Sequence, residues 1–153
     1  MPGAMEIIVF HPKHLEVANV RQHEADNVLT MKHAYDYIEN LANKSKQAGT
    51  FMYDGRIITC AGFLELWDGV AEIWQIPSIY VSLCPTLFAK TIRGYVETIA
   101  EQFKYHRLQT CSPADPLHDR WMKFLGFTEE GTMKSYTKDK KDHRMWARTF
   151  TWA

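Results

Sequence analysis

The stretch that decides the fold is Val70 to Gly94, which reads VAEIWQIPSIYVSLCPTLFAKTIRG. Its β-branched and aromatic opening predicts a buried strand over Val70–Ile76 that Pro77 ends. From Pro85 onward apolar residues recur at helical spacing, which predicts a long amphipathic helix. A strand that leads into a helix N-terminus is where many α/β folds bind a phosphate-bearing cofactor. The connection from Pro77 to Cys84 contains no glycine, lysine or arginine, so the usual phosphate-binding loop is missing.

The residues before this stretch predict a strand, two helices and two further strands. The predicted elements are a strand at Glu6–Phe10, a short helix after Pro12, a helix at Tyr35–Ala48 stopped by Gly49, and strands at Thr50–Tyr53 and Arg56–Trp67. The Asp54-Gly55 and Asp68-Gly69 pairs are typical of hairpin turns. Gly62, inside a predicted strand, indicates a bulge or a close backbone approach.

The residues after Gly94 predict a strand, a helix and a final hairpin. The predicted elements are a strand at Arg107–Cys111, a helix capped by Asp115-Pro116 with an apolar face of Leu117, Trp121, Phe124 and Leu125 and a stop at Gly126, and hairpin strands at Ser135–Thr137 and Arg144–Trp152. The full order, β-α-α-β-β-β-α-β-α-β-β, predicts one α/β (α+β) domain over residues 1–153. Its central sheet is expected to be mixed and mostly antiparallel, with helices on both faces.

Composition excludes several classes of function. The chain has 18 Lys and Arg against 18 Asp and Glu, so no net charge favours nucleic acid or an anionic membrane. No apolar run reaches the roughly 20 residues of a membrane helix, and no signal peptide is visible. The three cysteines are typical of reduced thiols in a cytoplasmic protein. His11 and His14 lack the partners of a metal signature, so no metal is expected.

The element order, with GVAEIWQIPS at Gly69–Ser78 and RWMKFLGF at Arg120–Phe127, resembles the GNAT superfamily of N-acetyltransferases. The order covers nearly the whole chain, whereas the motif resemblance is confined to those two stretches. In that family a helix ends in a Gly-Phe pair just before the last hairpin. A Trp-bearing fourth strand, with a Trp-bearing helix before Gly-Phe, looks most like the GNAT-like proteins encoded by tailed phages. The resemblance implies a three-layer GNAT-like domain.

The resemblance also implies a cofactor and a mechanism. In the family the fourth and fifth strands splay apart, and the pantetheine of acetyl-CoA lies between them like an added strand. The pyrophosphate sits on the next helix N-terminus in a loop of the form Q/R-x-x-G-x-G/A, for which this chain has SIYVSLCPT. Carried over by position, the cofactor-binding residues are Ile76, Ser78, Ser82 and Thr86.

Of the family's acid and base, only the base has a candidate at the corresponding place in this chain. A carboxylate often removes a proton from the substrate amine through water, and Glu72 on the fourth strand is the best-placed candidate. The tyrosine that can protonate the departing thiolate is Met122 here, so the expected acid is missing. Bland alternatives stay open: Glu72 as a solvent-facing strand residue, Trp74 and Trp121 as core, and Cys111 as a small core residue.

Two functions therefore remain. The first is an acetyl-CoA-dependent N-acetyltransferase with an atypical pyrophosphate loop, acting on a small-molecule or protein amine in the cytoplasm. The second is a catalytically inactive GNAT-like protein of a phage virion, of phage assembly or of host interaction, with other virion proteins as partners. In either case an exposed final strand, Met145–Trp152, is expected to allow a homodimer.

Overall fold

The computed structural model describes residues 4–18 and 34–152. In chain order the elements are β1 (Glu6–Val9), α1 (Lys13–Val17), α2 (Ala34–Lys44), β2 (Ser45–Tyr53), β3 (Arg56–Trp67), β4 (Val70–Pro77), a 3-10 helix (Ile79–Leu83), α3 (Pro85–Gln102), β5 (Arg107–Pro113), α4 (Pro116–Phe124), β6 (Thr128–Met133) and β7 (His143–Thr149). This confirms the predicted element order, with the 3-10 helix as an addition. The part of the predicted short helix beyond position 18 lies outside the described residues.

The strands form a seven-stranded sheet in the order β1-β2-β3-β4-β5-β7-β6. The β4–β5 pair is parallel, whereas the β1–β2, β2–β3, β5–β7 and β6–β7 pairs are antiparallel. The sheet is therefore mixed, as predicted. No helix in the described ranges is long and apolar enough to cross a membrane.

The described residues fall into two compact units. Unit 1 comprises the chain up to Leu64 together with Trp74–Gly94, and unit 2 comprises Glu65–Ile73 together with the chain from Tyr95 onward. The core of unit 1 is built where α1, α2 and the strands meet, from the buried side chains of Phe10, Leu15, Leu41, Cys60, Trp74 and Ile76.

The predicted end of the second helix is wrong. That helix ends at Lys44 rather than Ala48, because residues from Ser45 onward pair with β3. Strand pairing here overrides local helical preference. Gly49 lies inside β2, where an added Cβ would come within 2.9 Å of the Ile7 side chain. The glycine therefore permits close approach of β1 instead of stopping a helix.

In unit 2, β7 pairs with β5 from Arg107↔Thr149 to Pro113↔His143 and with β6 on its other side. Two predictions are corrected by this arrangement. Ser135–Thr137 is not a strand, because the first arm of the hairpin is Thr128–Met133. The final strand is not an edge, because both its sides are already paired, and the premise of a dimer through Met145–Trp152 is lost.

The apolar face predicted for α4 is also only partly right. Leu125 and Met122 are buried, whereas Leu117 is 55% and Phe124 38% exposed. The predicted ends of the helix are confirmed. The Asp115 carboxylate accepts the His118 N–H at 2.8 Å, and Gly126 has φ +88°, the left-handed geometry of a helix C-terminus.

Candidate functional site

The proposed cofactor segment begins at the end of β4 in unit 1. Ile76 and Ser78 are both buried. The Ser78 main chain donates to the Ile58 carbonyl at 2.8 Å. Its hydroxyl donates to the Ile57 carbonyl at 2.6 Å and accepts the Tyr80 N–H at 3.1 Å. Ser78 therefore ties the start of the 3-10 helix to β3, and its hydroxyl is already engaged in the protein.

The segment after Ser78 forms the 3-10 helix Ile79–Leu83. The Cys84 N–H donates to the Val81 carbonyl at 3.2 Å, and the Ser82 hydroxyl donates to the Ile79 carbonyl at 3.2 Å. Among the described residues, none from Ser78 to Thr86 has a positive φ. This backbone needs no glycine, because glycine is required only where φ is positive. The β-branched residues of the segment, which resist positive φ, are therefore accommodated.

The start of α3 presents the main-chain N–H groups that a helix N-terminus leaves without a helical acceptor. The first helical bond runs from the Phe88 N–H to the Cys84 carbonyl at 2.8 Å. The Thr86 and Leu87 N–H groups precede it and have no acceptor within the helix, whereas Pro85 has no N–H. One cation lies beside the 3-10 helix, since the Arg56 guanidinium sits 5.1 Å from the centroid of the Tyr80 ring. Sequence reasoning missed Arg56 because it arrives from the β2–β3 turn.

Glu72 lies on β4 in unit 2. It is half-buried, next to the fully buried Ala71, and it pairs in register with Gln109 of β5. One step further the Thr110 hydroxyl donates to the Ile73 carbonyl at 2.9 Å. Burial raises the pKa of the Glu72 carboxyl, because a charge is less well solvated inside the protein. This shift makes the carboxylate a stronger base.

The face of the sheet that carries Glu72 follows from register. Side chains alternate along a strand, so Glu72, its partner Gln109 and Cys111 point to one face. The arginines of β7 point to the other face. Arg148 donates to Glu97 of α3 at 3.2 Å, and Arg144 donates to Asp119 of α4 at 3.0 Å. Within unit 2, Glu72 therefore lies on the face opposite these contacts.

Glu72 shares that face with a thiol and a phenol. Cys111 and Tyr136 interact, since each is among the causes that shift the pKa of the other. Burial chiefly raises the pKa of Cys111, and the charge of Glu72 adds to the effect. The charge of Cys111 chiefly raises the pKa of Tyr136, with burial and Glu72 as further causes. Both groups therefore carry their protons at neutral pH.

The turn between β6 and β7 holds Tyr136 in place. Its N–H donates to the Lys141 carbonyl at 2.9 Å, and the preceding Ser135 N–H donates to the Asp142 carboxylate at 2.9 Å. The phenol ring packs against His143 with centroids 5.0 Å apart. His143 is buried, and its pKa is lowered, first by burial and then by the nearby His118. A neutral imidazole therefore supports the phenol.

The other side chains considered from sequence have structural contacts. Trp74 is buried and donates to the Ser45 hydroxyl at 2.9 Å. Trp121 stacks on Phe124 with centroids 5.9 Å apart. The His14 Nδ1 lies 2.7 Å from the Thr50 hydroxyl. Within the part of the chain that the structure describes, no three His, Cys, Asp or Glu residues are grouped to hold a metal ion.

Tyr136 is the residue that sequence reasoning missed. Tyr136 lies within the predicted strand Ser135–Thr137, and aromatic residues are common in strands. Its position against His143 depends on a turn held by side-chain bonds and on the register of β7, neither of which is visible in local sequence. The only available signal was an aromatic residue next to a long charged turn.

Neither a family model nor a curated protein matches the sequence, but solved structures match the fold. A GNAT-family acetyltransferase from Bacillus anthracis has a TM-score of 0.70 at 14% identity, over 97% of this chain and 96% of that chain. RimL, a ribosomal L7/L12 α-N-protein acetyltransferase in complex with coenzyme A, has a TM-score of 0.69 at 15% identity, over 95% and 94%. A mutant of the spermidine N-acetyltransferase SpeG from Vibrio cholerae has a TM-score of 0.72 at 10% identity, over 94% of each chain. The fold is that of the GNAT acetyltransferases.

Proposed function

We propose that this chain is an acetyl-CoA-dependent N-acetyltransferase with an atypical pyrophosphate segment, and that residues 1–153 act as one GNAT-like domain. The observation that carries the proposal is Glu72, a half-buried carboxyl group on β4 whose pKa is raised by burial. Amide formation requires a neutral amine, and a base with a pKa nearer neutrality removes that proton most effectively. Glu72 has the chemistry for this task.

The cofactor is proposed to use main-chain groups at Ile76 and Ser78 for its pantetheine arm. Its pyrophosphate is proposed to lie at the start of α3, near Ser82 and Thr86. Two N–H donors at a helix N-terminus and the helix dipole favour an anion there without any glycine. The complex of the L7/L12 acetyltransferase with coenzyme A supports this choice of cofactor.

The acceptor is proposed to be a primary amine, with two classes to test first. The structurally similar proteins include a ribosomal L7/L12 α-N-protein acetyltransferase and a spermidine N-acetyltransferase. We would incubate the protein with acetyl-CoA and either a peptide with a free α-amine or spermidine, and then detect the acetylated product by mass spectrometry. Product formation with one class and not the other would assign the acceptor.

The role of Glu72 is tested by Glu72→Gln, with Glu101→Gln as the matched control on the exposed surface of α3. We expect kcat to fall by about 10²- to 10⁴-fold in Glu72→Gln, while acetyl-CoA affinity and the control's rate stay unchanged. Wild-type activity in Glu72→Gln would contradict the assignment. A wild-type protein that neither binds acetyl-CoA nor acetylates either amine would favour the non-catalytic alternative.

A further inference from the structure

Gln109 of β5 has a side-chain amide whose orientation is fixed by its neighbour. The Arg107 Nε–H group donates to the Gln109 Oε1 atom at 3.0 Å. A guanidinium can only donate hydrogen bonds, so the oxygen end of the amide must face Arg107. Among the described residues, no group accepts a bond from the nitrogen end. The Gln109 amide therefore presents N–H donors that no described residue uses.

A bidentate ion pair holds Arg107 in this orientation. Its Nη1 and Nη2 atoms donate to the two carboxylate oxygens of Glu130 at 3.1 and 2.6 Å. Glu130 lies at the bulge of β6, where the register with β7 shifts between Glu129 and Gly131, and bulges commonly redirect a side chain. The positive charge of Arg107 is therefore matched by Glu130, while its Nε atom is directed at Gln109.

Gln109 stands next to Glu72 on the sheet of unit 2. The two residues are partners in the parallel register of β4 and β5, and neighbouring strands lie about 4.8 Å apart. Leu108 and Ser112, which face the other way along β5, are buried, whereas Arg107 and Gln109 are partly exposed. One small molecule can therefore contact the Glu72 carboxyl group and the Gln109 amide together.

We infer that Gln109 is a specificity-determining residue of the acetyl transfer, and that the acceptor is a peptide with a free α-amine. Glu72 receives the amine, and the Gln109 amide donates to the carbonyl oxygen of the first residue of the peptide. Amine and carbonyl are attached to the same carbon of such a substrate, which matches two neighbouring side chains on adjacent strands. This assignment rests on the proposed function, because it takes the amine to lie at Glu72.

The same contacts disfavour the other classes of amine. A polyamine such as spermidine has no oxygen that could accept from Gln109, so it gains nothing from that donor. A free amino acid carries a carboxylate, which would lie close to the Glu72 carboxyl group and would find Arg107 already paired with Glu130. A neutral peptide carbonyl accepts the bond without this repulsion.

The test compares two acceptors that differ in one group. The first is a peptide with a free α-amine, and the second is the same peptide with its first amide replaced by an (E)-alkene, which keeps the shape and lacks the carbonyl oxygen. With acetyl-CoA as donor, Gln109→Leu should lower kcat/KM for the peptide about 10-fold and leave kcat/KM for the alkene unchanged. Gln102→Leu, at the exposed end of α3, should match wild type with both acceptors.

Arg107 is a positioning residue, since it acts on the substrate only by orienting the Gln109 amide. Arg107→Leu should reduce the preference for the peptide over the alkene by less than Gln109→Leu does, because the released amide still presents its N–H groups part of the time. An unchanged preference in Arg107→Leu would remove this role from Arg107.

The outcomes separate this inference from the proposed function. An equal loss with both acceptors in Gln109→Leu, or no loss with either, would overturn the role of Gln109. Faster acetylation of spermidine or of free alanine than of the peptide by wild-type protein would overturn the assigned class of acceptor. A wild-type protein that acetylates none of these amines would overturn the proposed function itself, and this inference with it.

Discussion

Gly62 of β3 lies directly beneath the indole ring of Trp74. A Cβ added at Gly62 would come within 2.7 Å of the Trp74 Nε1 atom and 2.8 Å of two ring carbons. The indole has little freedom to retreat, because Nε1 donates to the Ser45 hydroxyl at 2.9 Å and the ring packs on Phe10 with centroids 5.1 Å apart. The sequence predicts a bulge or a close backbone approach at Gly62, whereas the structure shows a close approach by a side chain.

Gly62→Ala should therefore destabilise the protein by about 1–3 kcal/mol, the usual cost of overpacking a core. Gly94→Ala is the matched control, because Gly94 lies in α3 with nothing within 4 Å of an added Cβ. That control should be neutral or stabilising by up to about 1 kcal/mol. Urea denaturation measures both values, and equal stabilities of the two variants would contradict the described packing.

The raised pKa of Glu72 predicts a pH-dependent cost to stability. The folded state holds the proton of Glu72 more tightly than the unfolded chain does. The free energy of unfolding should therefore fall as pH rises from the ordinary glutamate pKa through the raised pKa of Glu72. Glu72→Gln cannot ionise, so its melting temperature should exceed that of wild type at neutral pH, and the difference should shrink in acid.

Thermal melts between about pH 4 and pH 8 measure this difference for wild type, Glu72→Gln and the control Glu101→Gln. Cys111 and Tyr136 share the face with Glu72 and keep their protons over this range, because their pKa values are raised. A difference that does not change with pH would show that Glu72 ionises like an exposed glutamate.

Ser78 is expected to contribute to stability through its hydroxyl. Ser78→Ala leaves the Ile57 carbonyl and the Tyr80 N–H without the bonds they make now. Its cost should be about 1–3 kcal/mol, as for other buried groups that lose a partner. Ser82→Ala removes one exposed bond to Ile79 and should cost below about 0.5 kcal/mol. Equal losses in urea denaturation would disprove the anchoring role of Ser78.

The cysteines should differ in reactivity toward a disulfide reagent. Cys60 is fully buried, and burial raises its pKa to about 11, so it should react only after unfolding. Cys111 is partly exposed and should account for the faster reaction of the native protein. A fast phase that disappears in Cys60→Ser but persists in Cys111→Ser would reverse this assignment.

The sequence predicted the fold well because its signals are local. The turn preferences of Asp-Gly pairs end the strands at Asp54-Gly55 and Asp68-Gly69. Cap preferences set the ends of one helix at Asp115 and Gly126. The errors occurred where distant pairing decides. Local sequence predicts helix for Ser45 to Ala48, whereas in the structure this segment belongs to a strand paired with β3.

In the candidate site too, features set by local sequence could be predicted and features set by distant contacts could not. Glu72 could be chosen as a candidate because a strand position and a charge are visible in sequence, whereas the position of Tyr136 could not be predicted. The Tyr136 ring is placed by the folded β6–β7 turn and by its packing on His143. The lack of glycine in this connection is visible in sequence, but the 3-10 helix capped by Ser78 depends on bonds to β3.

The most direct test is calorimetric titration of the wild-type protein with acetyl-CoA. The proposed function predicts saturable binding with a Kd between about 1 μM and 1 mM, the usual range for enzyme substrates. Cofactor at ten times the Kd should then stabilise the protein by about 1.4 kcal/mol, which a thermal melt detects. The upper end of that range is about 1 mM. If acetyl-CoA at several times this concentration gives neither saturable heat nor a melting shift, the proposal is contradicted.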